Sequence, residues 1–182
     1  MKLVIFTEEP SMKEALLKFL PKMGIDMGDV IIIAHQGVDD LEKSLPKKLR
    51  AYTDPDARFL ILRDNDRGDC FVRKARLEAV VNAAGRSGQT KVRIVCQELE
   101  AWFIGDSVAL EASGQLKKPL PGRLRRCDPD AQPHPSLEMK RLNPGYGKIG
   151  GAQAIAPHLG PERNRSQSFS QTVSAIRFLL AA

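Results

Sequence analysis

The residues best able to do chemistry are acids placed where apolar runs end. Phe59-Leu60-Ile61-Leu62-Arg63 leads straight into Asp64-Asn65-Asp66. Leu3-Val4-Ile5-Phe6 leads into Thr7-Glu8-Glu9, and Val92 to Cys96 leads into Gln97-Glu98-Leu99-Glu100. An apolar run of this length with polar flanks reads as a short strand buried on both faces. Side chains two apart on a strand point the same way, so Asp64 and Asp66 converge if extended backbone persists that far. If the strands are parallel neighbours, Glu8 (or Glu9), Asp64, Asp66 and Glu98 gather at one edge of the sheet. In open α/β sheets that edge binds ligands. Clustered carboxylates oppose each other's ionisation. A hard divalent cation, Mg²⁺ or Mn²⁺, relieves the repulsion and bridges to phosphate. Such a set would hold one or two ions for metal-assisted phosphoryl chemistry. The plainer reading is that Asp64 and Asp66 solvate a loop or cap the helix that begins near Gly68. The recurrence of acid after apolar run favours a site.

The elements that must hold these acids alternate in type. Pro10 ends the first strand. Ser11 with Glu14 forms a capping-box pair opening a helix with Met12, Ala15, Leu16, Phe19 and Leu20 on one face, which makes Glu14 a cap. Pro21 and Gly24 close it. Val30 to Ala34 is a second strand, followed by His35-Gln36-Gly37. Asp39 to Tyr52 is helical, with Leu41, Leu45 and Leu49 aligned; Pro46 inside it argues against one unbroken helix. Cys70 to Ala84 is a helix with Val72, Leu77, Val80 and Val81 as its apolar residues and Arg73, Lys74 and Arg76 exposed. Leu99, Trp102 and Phe103 share a face of the next one. Strands alternating with helices predict βαβ units and a mainly parallel sheet.

Length, 182 residues, suits one domain over 1–182, and 42% hydrophobic with 27% charged residues is ordinary for a globular chain. The net charge of +6 favours a polyanionic partner, nucleic acid above all. Cys70, Cys96 and Cys127 form no CxxC pair, which argues against zinc and disulfide frameworks and for a reducing compartment. The opening apolar run is too short for a signal peptide and no run approaches a membrane span, so the expected location is cytoplasmic. Residues 114–150 are rich in Gly, Pro and basic side chains: Lys117, Lys118, Arg123, Arg125, Arg126, Lys140, Arg141 and Lys148. They read as an irregular, partly helical excursion, either a solvated surface or a phosphate-contacting flank. A last helix at about 167–181 carries Phe169, Val173, Ile176 and Leu180 at helical spacing.

Several motifs fall away. Asp64 to Asp69 is no EF-hand loop, because the glycine comes one position early and Ala75 stands where the loop needs Glu. Gly145-Tyr146-Gly147-Lys148-Ile149-Gly150 matches GxGxxG but follows no strand, so it reads as a turn presenting Lys148. His35, His134 and His158 lack metal-ligand spacing and are taken as structural. Cys96 and Trp102 are taken as core. No GxxxxGK[ST] occurs, so any use of ATP enters from another chain.

An acid after the first strand (Glu8) followed by Asp-x-Asp after a hydrophobic strand (Asp64, Asp66) resembles the TOPRIM domain of topoisomerases, primases, recombination-repair proteins and OLD-family nucleases. The chain is similar to a prokaryotic family of stand-alone TOPRIM-like proteins through Glu8-Glu9-Pro10-Ser11, His35-Gln36-Gly37, Arg63-Asp64-Asn65-Asp66 and Glu98 to Phe103. Lys148 with Gly151-Ala152, Ile155 to Leu159, and Ser168-Phe169 extend the match. The resemblance implies an α/β, Rossmann-like three-layer sandwich with about four mainly parallel strands between helices. It implies Mg²⁺ at Glu8, Asp64 and Asp66, and an ABC/AAA-type ATPase partner in a phage-defence pair. The usual first motif has Gly after the acid; here Glu9 stands there, so either glutamate is open as the ligand. A metal-dependent nuclease is the leading expectation, with Glu8, Asp64 and Asp66 on the metal, Glu98 or Glu100 completing the site, and Lys148 neutralising the scissile phosphate. The alternative is a non-catalytic module that binds nucleic acid or the ATPase. Primase-like nucleotidyl transfer ranks last, since no zinc-binding or template-handling segment accompanies the acids.

Overall fold

Four strands form one all-parallel sheet: β1 (Leu3–Thr7), β2 (Val30–Ala34), β3 (Arg58–Asp64) and β4 (Thr90–Val95), in the order β2-β1-β3-β4. The computed structural model describes residues 2–181. β1 is buried along its whole length, and β3 from Phe59 to Asp64, which is why their sequences are apolar runs without alternation. Pleating still divides them. Leu3, Ile5, Leu60 and Leu62 pack on one face against Met12, Leu16 and Phe19 of α1 (Pro10–Phe19). Val4, Phe6, Phe59 and Ile61 pack on the other, against Leu41, Leu45 and Leu49 of α2 (Val38–Ala51) and Leu77 and Val81 of α3 (Cys70–Ala83). The result is three layers.

The strand order locates a crevice. From β1 the chain steps to β2 on one side; from β3 it steps to β4 on the other. Right-handed crossovers in opposite directions put α1 and α3 on opposite faces. The chain parts between the C-terminal ends of β1 and β3, the topological switch point where open α/β sheets bind ligands.

After β4 come α4 (Glu100–Gly105), α5 (Ser107–Ala112), α6 (Gly122–Arg126), α7 (Pro135–Leu142), α8 (Lys148–Ile155) and α9 (Gln167–Ala181). Trp102 of α4 and Phe169, Val173 and Ile176 of α9 complete the larger core. Much of the basic run of the excursion is spent internally. Glu138 is buried and pairs with both Arg123 and Arg141 at 2.5 Å, and Arg125 pairs with Glu111. Lys117, Lys118, Arg126 and Lys140 stay exposed. No helix among the described residues is long and apolar enough to cross a membrane.

Some local expectations are corrected. α1 begins at Pro10, not Ser11, because proline's fixed φ and missing N–H suit the first helical position. Glu9 is therefore the N-cap residue, Ser11 lies inside the helix, and Glu14 caps nothing; it accepts a hydrogen bond from Gln153. α2 runs unbroken through Pro46, held down by its three buried leucines. Val72 is 66% exposed, so α3 meets the core only through its C-terminal half.

Candidate active site

Register explains how β1 and β3 bring acids together. Thr7 lies beside Leu62, so the next residue, Glu8, reaches the level of Arg63 and Asp64. Glu8 Oε2 accepts the backbone N–H of Asp64 at 3.1 Å and lies 3.8 Å from Arg63 Nε. His35 fixes the end of β1. Its backbone N–H and its Nδ1–H both donate to Thr7 O, at 3.0 and 2.8 Å, while Nε2 accepts from Lys48 at 2.7 Å. Burial lowers its pKa, so it is a neutral strut. His134 and His158, by contrast, are exposed.

Asp64 is the last residue of β3 and points toward the larger core. It is 3% exposed, and its Oδ1 is buried with no hydrogen-bond partner. Burial, then the charges of Glu8, Glu9 and Glu100, push its pKa well above the usual carboxylate range. Glu8 is pushed up to about 7, by burial and then by Asp66. Asp66 does not share Asp64's direction. Strand geometry stops at Asp64, and Asp66 and Arg67 adopt left-handed φ of 45° and 63°, which turns Asp66 outward to solvent. Asn65 holds that turn. Its Nδ2 donates to Gly68 O at 3.2 Å and its Oδ1 accepts from the backbone N–H of Arg67 at 3.3 Å.

A left-handed residue at Gln97 (φ 64°) turns the chain again after β4 and separates Glu98 from Glu100. Glu98 accepts the backbone N–H of Ser136 at 2.8 Å, capping the start of α7, and lines a cleft of about 100 Å³ with Asp66, Arg67 and His134. Glu100 is the one whose charge acts on Asp64. It is 1% exposed; Oε1 accepts from Tyr146 Oη at 3.0 Å, and Oε2 is buried without a partner. Burial raises its pKa too. The signal for Glu100 was in the sequence: α4 is buried on every side, so an acid in its apolar run has nowhere to go but inside.

Lys148 opens α8 and closes the site. Its Nζ donates to both carboxylate oxygens of Glu9, at 3.2 and 3.0 Å. Burial alone would lower its pKa, but the Glu9 hydrogen bond and the charges of Glu100, Glu9 and Asp64 outweigh it and keep the ammonium charged. The GxGxxG match here is a packing device. Tyr146 is buried against Gly151, where a Cβ would come 2.1 Å from its ring, and Gly147 caps α8. Cys96 is half-buried with its sulfur 4.0 Å from that of Cys70, and Trp102 is core, donating to Ser168.

Among the described residues no three His, Cys, Asp or Glu side chains stand close enough to enclose one ion. The donor chemistry nonetheless fits a hard divalent cation. Asp64 and Glu100 each bury a carboxylate oxygen with no partner, beside Glu8 and Glu9, and all these donors are oxygen. A protein interior leaves such oxygens unsatisfied only at considerable cost.

Residues 7–177 match the family described as Domain of unknown function (DUF4276). No curated protein matches the chain. Among solved structures, the C-terminal region of the Xanthomonas campestris pv. campestris OLD protein aligns with a TM-score of 0.59 and 17% identity, over 98% of this chain and 95% of that one. The C-terminal region of the Burkholderia pseudomallei OLD protein aligns with a TM-score of 0.56 and 15% identity, over 97% of each. At that identity the likeness is one of fold, and it extends through the excursion and α9 as well as the sheet. The chain belongs to the DUF4276 family, and it carries the fold of the C-terminal region of OLD proteins.

Proposed function

We propose that this protein is a Mg²⁺- or Mn²⁺-dependent nuclease that cuts nucleic-acid phosphodiesters at the switch point between β1 and β3. The observation that carries the reading is the pair of buried, unpartnered carboxylate oxygens on Asp64 and Glu100, in a chain of net charge +6. Asp64 is the central ligand, with Glu8 and Glu100 beside it and Asp66, turned to solvent next to Glu8, at the rim; of the two candidate glutamates, Glu9 is committed to Lys148 and Ser11. Glu98 serves this site through α7, by holding the excursion in place. A divalent cation supplies Lewis acidity at the phosphodiester when bound. The chain's own groups do the rest. Lys148 places a fixed positive charge beside Asp64 for the scissile phosphate. Tyr146 fixes the orientation of Glu100 by its hydrogen bond, and the packed α4 and α8 keep bulk water from the buried oxygens.

The OLD structures are C-terminal regions of larger proteins, and this chain has no phosphate-binding ATPase motif. The reading includes a partner ATPase in a phage-defence pair, as the resemblance to OLD-family nucleases implies.

One observation favours the second reading, a non-catalytic module for nucleic acid or the ATPase: Glu8 and Glu9 already have cationic partners in Arg63 and Lys148. The discriminating experiment is cleavage of supercoiled plasmid, single-stranded DNA and tRNA in Mg²⁺, Mn²⁺ or EDTA. The nuclease reading expects metal-dependent cleavage that disappears in Asp64→Ala. Tight nucleic-acid binding without cleavage, with and without a candidate ATPase partner, would select the module.

A further inference from the structure

A second patch at the same edge is basic. Arg63 precedes Asp64 on β3, and pleating sends its side chain to the opposite face, toward α2 and α3. There it lines a pocket of about 240 Å³ with Gly68, Asp69, Val72, Arg73 and Arg76. Two of the three guanidiniums have acidic partners: Arg63 and Arg76 each lie 2.6 Å from an oxygen of Glu42. Asp69 is occupied as the cap of α3, accepting from the N–H groups of Phe71 and Val72 at 2.7 and 3.0 Å.

Arg73 is the exception. Its Nε is buried and has no hydrogen-bond partner. Its guanidinium is seated over Gly68, in space that any other residue would fill: a Cβ there would come 2.3 Å from Nε and 2.5 Å from Nη2. Glycine at 68 is not needed for a left-handed turn, since the positive φ values fall on Asp66 and Arg67. It makes room for the arginine. Glu42 and Glu8 answer Arg63, Glu42 answers Arg76, and Asp69 is spent on the cap of α3, which leaves the guanidinium of Arg73 without an ion pair among the described residues. The ligand such a fork suits best is a phosphate, which takes two parallel N–H donors at once.

We propose that the Arg63, Arg73 and Arg76 pocket binds a phosphate of the nucleic-acid strand, one flanking the phosphodiester held at Asp64. The nucleic-acid part of this rests on the nuclease reading; the affinity for phosphate does not. Glu8 joins the two sites, touching Arg63 with the same carboxylate oxygen that accepts the Asp64 N–H. A strand laid across this end of the sheet sets one phosphate against Asp64 and Lys148 and another against Arg73 and Arg76. Arg76, with 70% of its side chain exposed, is free to turn from Glu42 to the ligand.

The test is binding, measured in EDTA so that nothing is cut. Fluorescence anisotropy of a labelled DNA oligonucleotide, single-stranded and duplex, is read against salt. Arg73→Ala should weaken binding about tenfold and flatten the salt slope by about one unit. Gly68→Ala keeps every charge but displaces the guanidinium, and should also weaken binding; Lys91→Ala, stacked on Phe178 away from the pocket, should not. Wild-type affinity in both Arg73→Ala and Gly68→Ala overturns the proposal. Thermal unfolding in inorganic phosphate against chloride at matched ionic strength separates the two readings. An Arg73-dependent rise without any nucleic-acid binding assigns the pocket to free phosphate and overturns its nucleic-acid role. No nucleic-acid binding and no such rise overturn the pocket altogether. Arg73-dependent DNA binding without cleavage in Mg²⁺ or Mn²⁺ upholds the pocket and removes the nuclease.

Discussion

Glu8 and Asp64 lie on adjacent strands at the same edge of the sheet, and their surroundings differ in kind. Glu8 opens toward α2 and α3, where a backbone N–H and Arg63, itself held by Glu42, offset part of its charge, while burial and Asp66 still raise its pKa. Asp64 opens toward α1, α4 and α8, where Glu9 and Glu100 add charge of the same sign and the nearby cation, Lys148, is chelated by Glu9. On one side of the edge Arg63 stands against Glu8; on the other, Lys148 faces Asp64, Glu9 and Glu100. The proposed metal site lies on the side where acids outnumber the cation.

The sharpest way to break the comparison is Asp64→Asn. It should reduce metal-dependent cleavage to the level of the EDTA control. In EDTA at pH 8 it should also raise the thermal midpoint, because a buried carboxylate with no partner is removed. A lowered midpoint would mean that Asp64 is structural.

Next in size is the pH dependence of stability without metal. Glu8 titrates near 4.5 when unfolded and at about 7 when folded. Its raised folded pKa means that the folded state holds the proton longer. The stabilisation is therefore full below about pH 4.5 and is lost as pH rises through 7, to a total of about 3 kcal/mol. Asp64, raised in the same direction, adds to the loss. Chemical denaturation in EDTA should show it, Glu8→Gln should flatten the curve, and Mg²⁺ should restore stability at pH 8. Stability that rises with pH through this window would contradict the account.

Tyr146→Phe leaves the packing against Gly151 and removes the hydrogen bond to Glu100. Cleavage should fall about 10- to 100-fold, the usual cost of losing a group that orients a ligand. An unchanged rate would take Glu100 out of the site. The smallest effect belongs to Glu98→Ala, which should cost about 1 kcal/mol as a lost helix cap and leave Asp64-dependent cleavage nearly intact. Loss of all cleavage in a folded Glu98→Ala protein would exchange the roles given to Glu98 and Glu100.

The strands and the acids that end them were legible because burial on both faces writes itself as unbroken apolar runs, and register then fixes Glu8 beside Asp64. What lay beyond the strands depended on single backbone turns. Positive φ at Asp66 and Arg67 sends Asp66 to solvent, and positive φ at Gln97 decides between Glu98 and Glu100; none of these residues is a glycine that would advertise it. The start of α1 turned on Pro10 outranking Ser11. The excursion's charges could not be sorted locally, because Glu138, which gathers Arg123 and Arg141, and Glu100, which meets Tyr146, find their partners only in the folded chain. The Arg73 pocket was hidden for the same reason: Arg73 and Arg76 read as the exposed face of a helix, and Arg63 joins them only across the fold.

The central claim is that Asp64 waits for a divalent cation. Its most direct test is calorimetric titration of Mn²⁺ into metal-free wild type and Asp64→Asn. The account predicts saturable binding to wild type, accompanied at pH 6 to 7 by proton release from carboxylates held protonated, and no binding to the variant. Equal binding by both proteins, or none by wild type, would contradict it.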